Sequence, residues 1–211
     1  MKMWRLLQLA DSAFPTGGFA HSCGLEAAQQ AGEVNDLRRF ARDAIWQAGL
    51  GALPLLRAAF LHPAALPALD ARADAFLANH VANRASRTQG RAFSSTCARI
   101  FPGRASLATA GLRMHLAPLW GAVFCALELR LEDAQRLYLW TTARGVLSAA
   151  VRLGLAGTLE AQELLAGLDP TLDEVLQSCG TLGPESLAQP APLADLLLAT
   201  HDRLYSRLFQ S

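Results

Sequence analysis

Apolar residues recur along most of this chain with the spacing of amphipathic helices, and the alternation typical of strands is almost absent. Alanine and leucine dominate while β-branched residues are scarce, which favours helix. Glycine and proline clusters mark the expected breaks. The pattern predicts an all-α fold, a single irregular helical bundle of about ten helices, with residues 1–211 in one domain. The predicted helices cover residues 2–9, 22–30, 35–50, 54–62, 70–98 (one helix, or two joined near Gly90), 106–115, 118–128, 132–155, 159–168, 172–178 and 193–208.

The stretch from Glu132 to Leu155 is apolar on almost every side. A helix of this kind is expected at the centre of a bundle, because no face of it suits water. Its polar exceptions, Arg144, Ser148 and Arg152, follow each other at intervals of four and therefore share one narrow stripe. The pattern predicts a buried helix with one polar edge.

The composition is apolar for a water-soluble chain, with 52% hydrophobic and 18% charged residues, which favours burial of surface against partners. A formal net charge of +1 provides no electrostatic reason to expect nucleic acid. The uncharged run Met114–Leu127 is too short for a membrane span and is interrupted by Pro118. No secretory signal opens the sequence, and its cysteines form no CxxC pair. We therefore expect a cytoplasmic protein with reduced thiols and no membrane contact.

Motifs for catalysis are missing from the sequence: it has no phosphate-binding GK[ST] loop, no HExxH and no isolated pair of carboxylates. We therefore expect no catalytic residues, no cofactor and no resident metal. His21 and Cys23 are the one suggestive pair, since Cys23 is predicted in the first turn of a helix, where the dipole lowers a thiol pKa. Two alternatives stay open: a metallochaperone using Cys23, His21 and perhaps His201, and a thiol enzyme. Side chains two residues apart point to different faces of a helix, which argues against joint action of His21 and Cys23.

Two segments are hard to explain as ordinary structure. The loop in Asp11–Ala28 carries Pro15 and paired glycines, and it holds Phe14 and Phe19 as possible exposed aromatics. The second segment is the tail HDRLYSRLFQS. Its apolar side chains would be exposed to water unless they pack against protein. The sequence leaves open whether the loop is an interface or a core turn. It also leaves open whether the tail docks into its own core or into a partner.

These two segments also carry a family resemblance. The run LLQLADSAFPTGGFAHSCGLEAA, Leu6–Ala28, resembles the signature of the urease accessory protein UreF family, and the tail resembles its closing H-x-x-LYSRL(F/Y)-x-S. Weaker blocks lie between them in the family's order: residues 87–91, 115–121 and 148–162. The chain departs from the family pattern at Cys23, at Leu159–Gln162 and at Gln210, where arginine is common.

The resemblance implies an all-α homodimer without an active site. Such proteins bind the accessory protein UreD (also called UreH) and recruit the GTPase UreG to apo-urease. They modulate the GTPase during nickel delivery and active-site assembly. The family's partner-binding segments correspond here to residues 1–20 and 200–211. Phe19 and Arg207 match positions tied to UreG recruitment, and Arg152 matches a basic position tied to control of the GTPase. The remaining partner-binding positions are the loop residue His21 and, in a tail that orders when UreD binds, Tyr205, Leu208 and Phe209.

Overall fold

The computed structural model describes residues 2–211, which form α-helices and short 3-10 turns with no β-strand among them. The all-α bundle expected from the sequence is confirmed. The helices are α1 (Met3–Ala10), α2 (Leu25–Gln30), α3 (Leu37–Gly51), α4 (Leu53–Leu61), α5 (Leu66–Phe76), α6 (His80–Ile100), α7 (Leu116–Ala126), α8 (Leu131–Arg152), α9 (Thr158–Ala166), α10 (Asp169–Cys179) and α11 (Pro192–Ala199).

Helix α8 is the central element, as its apolar sequence predicts. It packs against α2, α3, α4, α7, α9 and α10, and it also contacts α1 and the short turn Gly18–Ala20. The main core lies around it and includes an aromatic group centred on Trp120. That indole stacks on Phe93 and Phe124 at centroid distances of 4.7 and 5.2 Å, and it meets Tyr138 edge-on at 5.5 Å. Such pairs add to the free energy that area burial alone provides.

Helices α4 and α7 cross at close range because of one glycine. A Cβ atom on Gly121 of α7 would overlap the carbonyl oxygen of Leu56 in α4. By length and hydropathy alone the run Leu37–Leu61 could span a membrane, unlike the shorter run 114–127. In the structure this run is divided at Ala52, and α4 is buried against α7, which is the behaviour of core helices.

The predicted helix over 70–98 is wrong in its boundaries. The break lies at residues 77–79 and not near Gly90, because Asn79 begins a new helix by accepting hydrogen bonds from the amides of Val81 (3.0 Å) and Ala82 (3.3 Å). Gly90 lies inside α6 and serves another purpose. A Cβ there would overlap the carbonyl oxygen of Met114, so the glycine admits the following loop against the helix.

The predicted helix over 106–115 is also wrong. This segment is irregular, and Met114 has a left-handed backbone with φ of 75°. The buried carboxylate of Asp70 accepts hydrogen bonds from the amides of Arg113, Met114 (3.3 Å) and His115 (2.8 Å). These amides would otherwise bond to carbonyls one turn earlier, so a side chain distant in sequence replaces the local helix pattern.

Other helix ends also differ from the sequence prediction. Helix α2 begins at Leu25, not at residue 22, because Cys23 (φ 55°) and Gly24 (φ 86°) adopt left-handed conformations. The helix predicted over 35–50 begins later, at Leu37, where Asp36 caps α3 by accepting from the amide of Arg39 at 3.0 Å. The last helix ends at Ala199, and the following residues form a short 3-10 turn and then an irregular tail.

Candidate functional site

The N-terminal loop and the C-terminal tail, which the sequence singled out separately, lie against each other. The carbonyl of Ser211 accepts hydrogen bonds from the amide of Ser22 and from its hydroxyl (2.9 Å). The amide of Gln210 donates to the carbonyl of Ala20 at 2.7 Å, and Ser211 Oγ lies 2.6 Å from His21 Nδ1. The backbone of the tail is thus docked on its own chain, one of the two possibilities left open above.

Glu26 of α2 is the main anchor of the tail. Its side chain is only 3% exposed. Its oxygens accept from the amides of Leu208 (2.6 Å) and Phe209 (3.2 Å) and from Nε2 of His201 (3.0 Å). Burying a carboxyl group is costly unless donors surround it, and here all three of these donors come from the tail. Detaching the tail would leave Glu26 without them.

Asp202 forms a second, more exposed anchor. It accepts two hydrogen bonds from Arg84 of α6 at 2.9 and 2.7 Å, and it lies 3.2 Å from His80 and 3.4 Å from Arg207. The paired hydrogen bonds from Arg84 hold the pKa of Asp202 below its usual value. Because these groups are partly in solvent, each pair contributes little stability, and the cluster mainly orients the tail and Arg207.

Arg152, at the end of α8, connects the loop to the tail. Its guanidinium carbon lies 3.8 Å from the ring centroid of Phe19 and 4.2 Å from that of Phe209, and it donates a hydrogen bond to the carbonyl of Phe19. Arg144, earlier on the same stripe, donates to the carbonyl of Ala10 at 3.1 Å. The polar edge predicted for this helix therefore faces the N-terminal loop.

The predicted partner-binding residues divide into exposed and buried ones. Phe19 is 70% exposed, Tyr205 is fully exposed and Leu208 is half exposed, whereas Phe209 and His21 are 5% and 6% exposed. Exposed aromatic and leucine side chains on an anchored backbone are typical of contact surfaces. Further large apolar side chains are exposed on α1 and α11: Trp4, Leu7, Leu193 and Leu196.

The sequence placed Cys23 in the first turn of a helix, and that prediction is wrong. Cys23 precedes α2 and does not lie in its first turn, so the helix dipole does not act on it as expected. It lines a cavity of about 990 Å³ between the N-terminal loop, α3 and α8, so solvent reaches it although protein surrounds it. Desolvation raises the pKa of this thiol to about 11, which disfavours the nucleophilic thiolate.

His21 and His201 are near each other in the structure, each with one unpaired nitrogen. Burial, followed by the charges of His201 and Arg84, lowers the pKa of His21 to about 4. Within residues 2–211, His21 Nε2 and His201 Nδ1 are buried without a hydrogen-bond partner. No group of three or more His, Cys, Asp or Glu in that range has the geometry to hold a metal ion. The metallochaperone alternative, which the family resemblance makes one for nickel, therefore has two imidazole nitrogens but no third ligand beside them.

Sequence reasoning missed Glu26, Arg84 and Asp202, which position the tail. Arg84 and Asp202 carry no local signal, since ordinary surface helices have similar charges. Glu26 does have a local signal in the sequence, because it is a lone acid between Leu25 and Ala27 in a short apolar helix. A carboxyl group in such a position needs donors from elsewhere, which could have pointed to a docked segment.

Comparison with known proteins supports the resemblance seen in the motifs. The sequence model of the family described as UreF matches residues 32–169. Urease accessory protein F of Oryza sativa subsp. indica is 36% identical over 98% of this chain and 84% of its own length. The protein of the same name from Arabidopsis thaliana is 35% identical over 99% and 92%. Urease accessory protein UreF of Paracoccus denitrificans (strain Pd 1222) is 36% identical over 98% and 95%.

Proposed function

The chain belongs to the UreF family of urease accessory proteins, and from this premise we propose that it is a non-catalytic binding scaffold for urease maturation. In this role it binds UreD (UreH) and recruits the GTPase UreG to apo-urease. The assembly modulates the GTPase while nickel is delivered to the active site. The relatives named above are accessory proteins, which supports a role in assisting an enzyme.

One observation carries the proposal: the chain uses buried groups to fix a tail whose large side chains face solvent. Glu26 and Ser22 hold the tail backbone, while Tyr205 and Leu208 are exposed beside it. Anchoring the segment in advance reduces the ordering entropy that a partner would otherwise have to overcome on binding. Exposing a tyrosine and a leucine side by side adds no stability to the isolated chain, and exposed apolar side chains of this kind are typical of binding surfaces.

The exposed and buried residues have different roles in this proposal. Phe19, Tyr205, Leu208 and Arg207 contact partners directly, because their side chains reach solvent. The buried residues His21 and Phe209 position the tail, and Arg152 does so through its contacts with Phe19 and Phe209. Arg152 therefore influences the GTPase by holding the loop and the tail in one arrangement.

The remaining properties are proposed from family membership alone. The chain is proposed to fold as one domain, to form a homodimer and to act in the cytoplasm. Its contacts with UreD and UreG are proposed to use the segments 1–20 and 200–211, where Trp4 and Leu7 add exposed apolar surface to the tail and loop residues.

The main test removes the exposed side chains of the tail. We expect the variant Tyr205→Ala/Leu208→Ala to bind purified UreD at least about tenfold more weakly than wild type, because contact residues of this kind dominate interface energies. The matched control is Leu61→Ala/Leu159→Ala, which removes exposed apolar side chains elsewhere. Binding is measured by surface plasmon resonance and folding by circular dichroism. Wild-type affinity for UreD in the tail variant would contradict the proposal.

A second test separates recruitment of the GTPase from binding of UreD. Phe19→Ala and Arg207→Ala are expected to keep the complex with UreD while losing capture of UreG by that complex. Arg39→Ala is the control, because this arginine is exposed on α3 and makes no ion pair within residues 2–211. If both variants capture UreG as well as wild type does, their assignment to recruitment is wrong.

A further inference from the structure

Charges of opposite sign are separated along this chain. Residues 75–127 contain six arginines and no acidic residue, whereas residues 153–202 contain eight acidic residues and no lysine or arginine. The overall net charge of +1 hides this separation. A region with a strong local charge favours partners of the opposite sign even when the whole molecule is nearly neutral.

The basic residues of α6 line a groove that we call the arginine groove. It has a volume of about 610 Å³, and its lining includes Leu77, His80, Arg84, Arg87 and Arg91. The three arginines follow one another at about one helical turn, so their guanidinium groups are spread over roughly 10 Å of the helix. Leu77 and Ala78, at the α5–α6 junction, add apolar side chains to the lining.

Arg87 and Arg91 have no acidic partner within residues 2–211. Arg87 uses only its Nε, which donates to the carbonyl of Arg113 at 3.1 Å, and Arg91 reaches only the hydroxyl of Thr88 at 3.5 Å. The acid that lines the groove, Asp74, is occupied by Arg113 at 2.9 Å and by His115 at 3.1 Å. The groove therefore has guanidinium donors available and its own carboxylate already taken.

We propose that the arginine groove is a docking surface for an acidic segment of a partner protein. Guanidinium groups bind carboxylates through paired hydrogen bonds, and carboxylates one helical turn apart would match the spacing of Arg87 and Arg91. Arg84 is already bound to Asp202, so it marks the end of the groove next to the tail. The groove thus extends the tail surface along α6, and it does not depend on the function proposed for the tail.

A protein segment fits this groove better than nucleic acid does. Nucleic acid binding relies on an extended basic surface that neutralises many phosphates, and the two unpaired arginines here are too few. Acidic Asp195 and Asp202 also border α6 at its first turns and would repel a polyphosphate strand. In this chain's own acidic region Asp173, Asp195 and Asp202 are already bonded, to Arg136 at 3.1 Å, to Asn79 at 3.0 Å and to Arg84 at 2.7 Å. This leaves fewer carboxylates for the groove of a second copy.

The test uses charge reversal and a defined probe. The probe is a fluorescently labelled helical peptide with glutamates one turn apart on one face, and its counterpart has lysines at the same positions. The variant is Arg87→Glu/Arg91→Glu, and the control Arg39→Glu/Arg99→Glu changes net charge equally with exposed arginines outside the groove. Binding is followed by fluorescence anisotropy at low salt on the full chain, after circular dichroism has confirmed its fold.

We expect the wild type and the control to bind the glutamate peptide, and the groove variant to bind it at least about tenfold more weakly. The groove variant should prefer the lysine peptide instead. Equal binding of the glutamate peptide by variant and control would overturn the proposal. So would tighter binding of single-stranded DNA than of the peptide, or a change confined to self-association in sedimentation measurements. Because the tail is unchanged in these variants, UreD binding reports separately on the function proposed above.

Discussion

Two irregular segments of this protein are held in the same way but serve different ends. The loop before α7 is fixed by Asp70, which accepts three consecutive backbone amides. The tail is fixed by Glu26, which accepts two consecutive amides and a histidine. Both carboxyl groups are almost fully buried. In each segment one carboxylate accepts hydrogen bonds from backbone amides that, in a helix or a strand, would donate to backbone carbonyls.

The segments differ in how they are tethered and in what they expose. The loop is continuous with long helices on both sides and is sealed by Gly90 and by fully buried His115. The tail follows the short helix α11, and it exposes Tyr205 and Leu208. The same kind of anchor therefore stabilises the fold in the first case and presents a surface in the second. The following predictions test this contrast, in order of decreasing effect.

The largest effect is expected for Asp70→Ala. Three amides, of which that of His115 is buried and those of Arg113 and Met114 are partly buried, would lose their acceptor. The free energy of unfolding should therefore fall by about 3 kcal/mol. Asp43→Ala, at an exposed position on α3, is the control and should change it by less than about 0.5 kcal/mol. Urea denaturation followed by circular dichroism measures both. A change of similar size in both variants would mean that Asp70 does not anchor the loop.

A smaller and more local effect is expected for Glu26→Ala. The tail should open more readily, by about 2 kcal/mol, because its amides lose their acceptor, while helices far from it stay intact. Hydrogen exchange at Leu208 and Phe209 measures this opening, with the exposed Glu33→Ala as control. If exchange accelerates throughout the core instead, the tail is part of the fold in the same way as the loop, and the contrast fails.

The docking of the tail is also expected to depend on pH through His21. Because the folded pKa is about 4 and the ordinary value is 6.5, His21 stays neutral in the fold while the unfolded chain takes up a proton. Protonation of the unfolded chain therefore lowers the free energy of unfolding as pH falls from 6.5 toward 4, and above pH 6.5 there is no such loss. Near pH 5 the loss is on the order of 1–2 kcal/mol.

The measurement for His21 is the difference in Tm between the wild type and His21→Gln, recorded from about pH 7 to pH 4.5. Glutamine cannot take up a proton in this range. The Tm of the wild type should therefore fall relative to the Tm of His21→Gln as the solution becomes more acidic. A difference that stays constant with pH would show that His21 does not contribute to this dependence.

The smallest effect is expected for Arg152→Gln, which removes the cation–π contacts to Phe19 and Phe209. Each contact is partly exposed, so tail docking should weaken by about 1 kcal/mol in total. A double-mutant cycle with Phe209→Leu isolates the contact, and Arg99→Gln serves as the control. A coupling energy indistinguishable from zero would mean that Arg152 does not connect the loop to the tail.

Much of the fold could be predicted from the sequence, because helix periodicity is a local property. The pattern around Leu137 and Val146 identified the central helix, and Pro15 with Gly17 located the N-terminal loop. The helix predicted over 106–115 failed because its amides bond to Asp70, more than forty residues earlier. No local pattern records a partner at that distance.

Part of the site could be predicted as well. The exposed aromatic Phe19 and the tail residues were found from unusual sequence features, and Arg152 was found from its stripe and its family match. Which of them are buried could not be predicted, because Phe209 and Tyr205 are both aromatic residues of the same short tail. Their difference depends on which side of the tail meets Glu26 and Arg152.

The amino-acid sequence by itself determined the helical class, the central position of α8 and the two segments that carry the family resemblance. Composition and periodicity suffice for this, since they act over a few residues. Only the tertiary structure decided that Glu26 and Ser22 anchor the tail, that Arg152 lies over Phe19 and Phe209, and that Arg87 and Arg91 have no acidic partner. Each of these depends on contacts between residues far apart in sequence, which arise only when the helices pack.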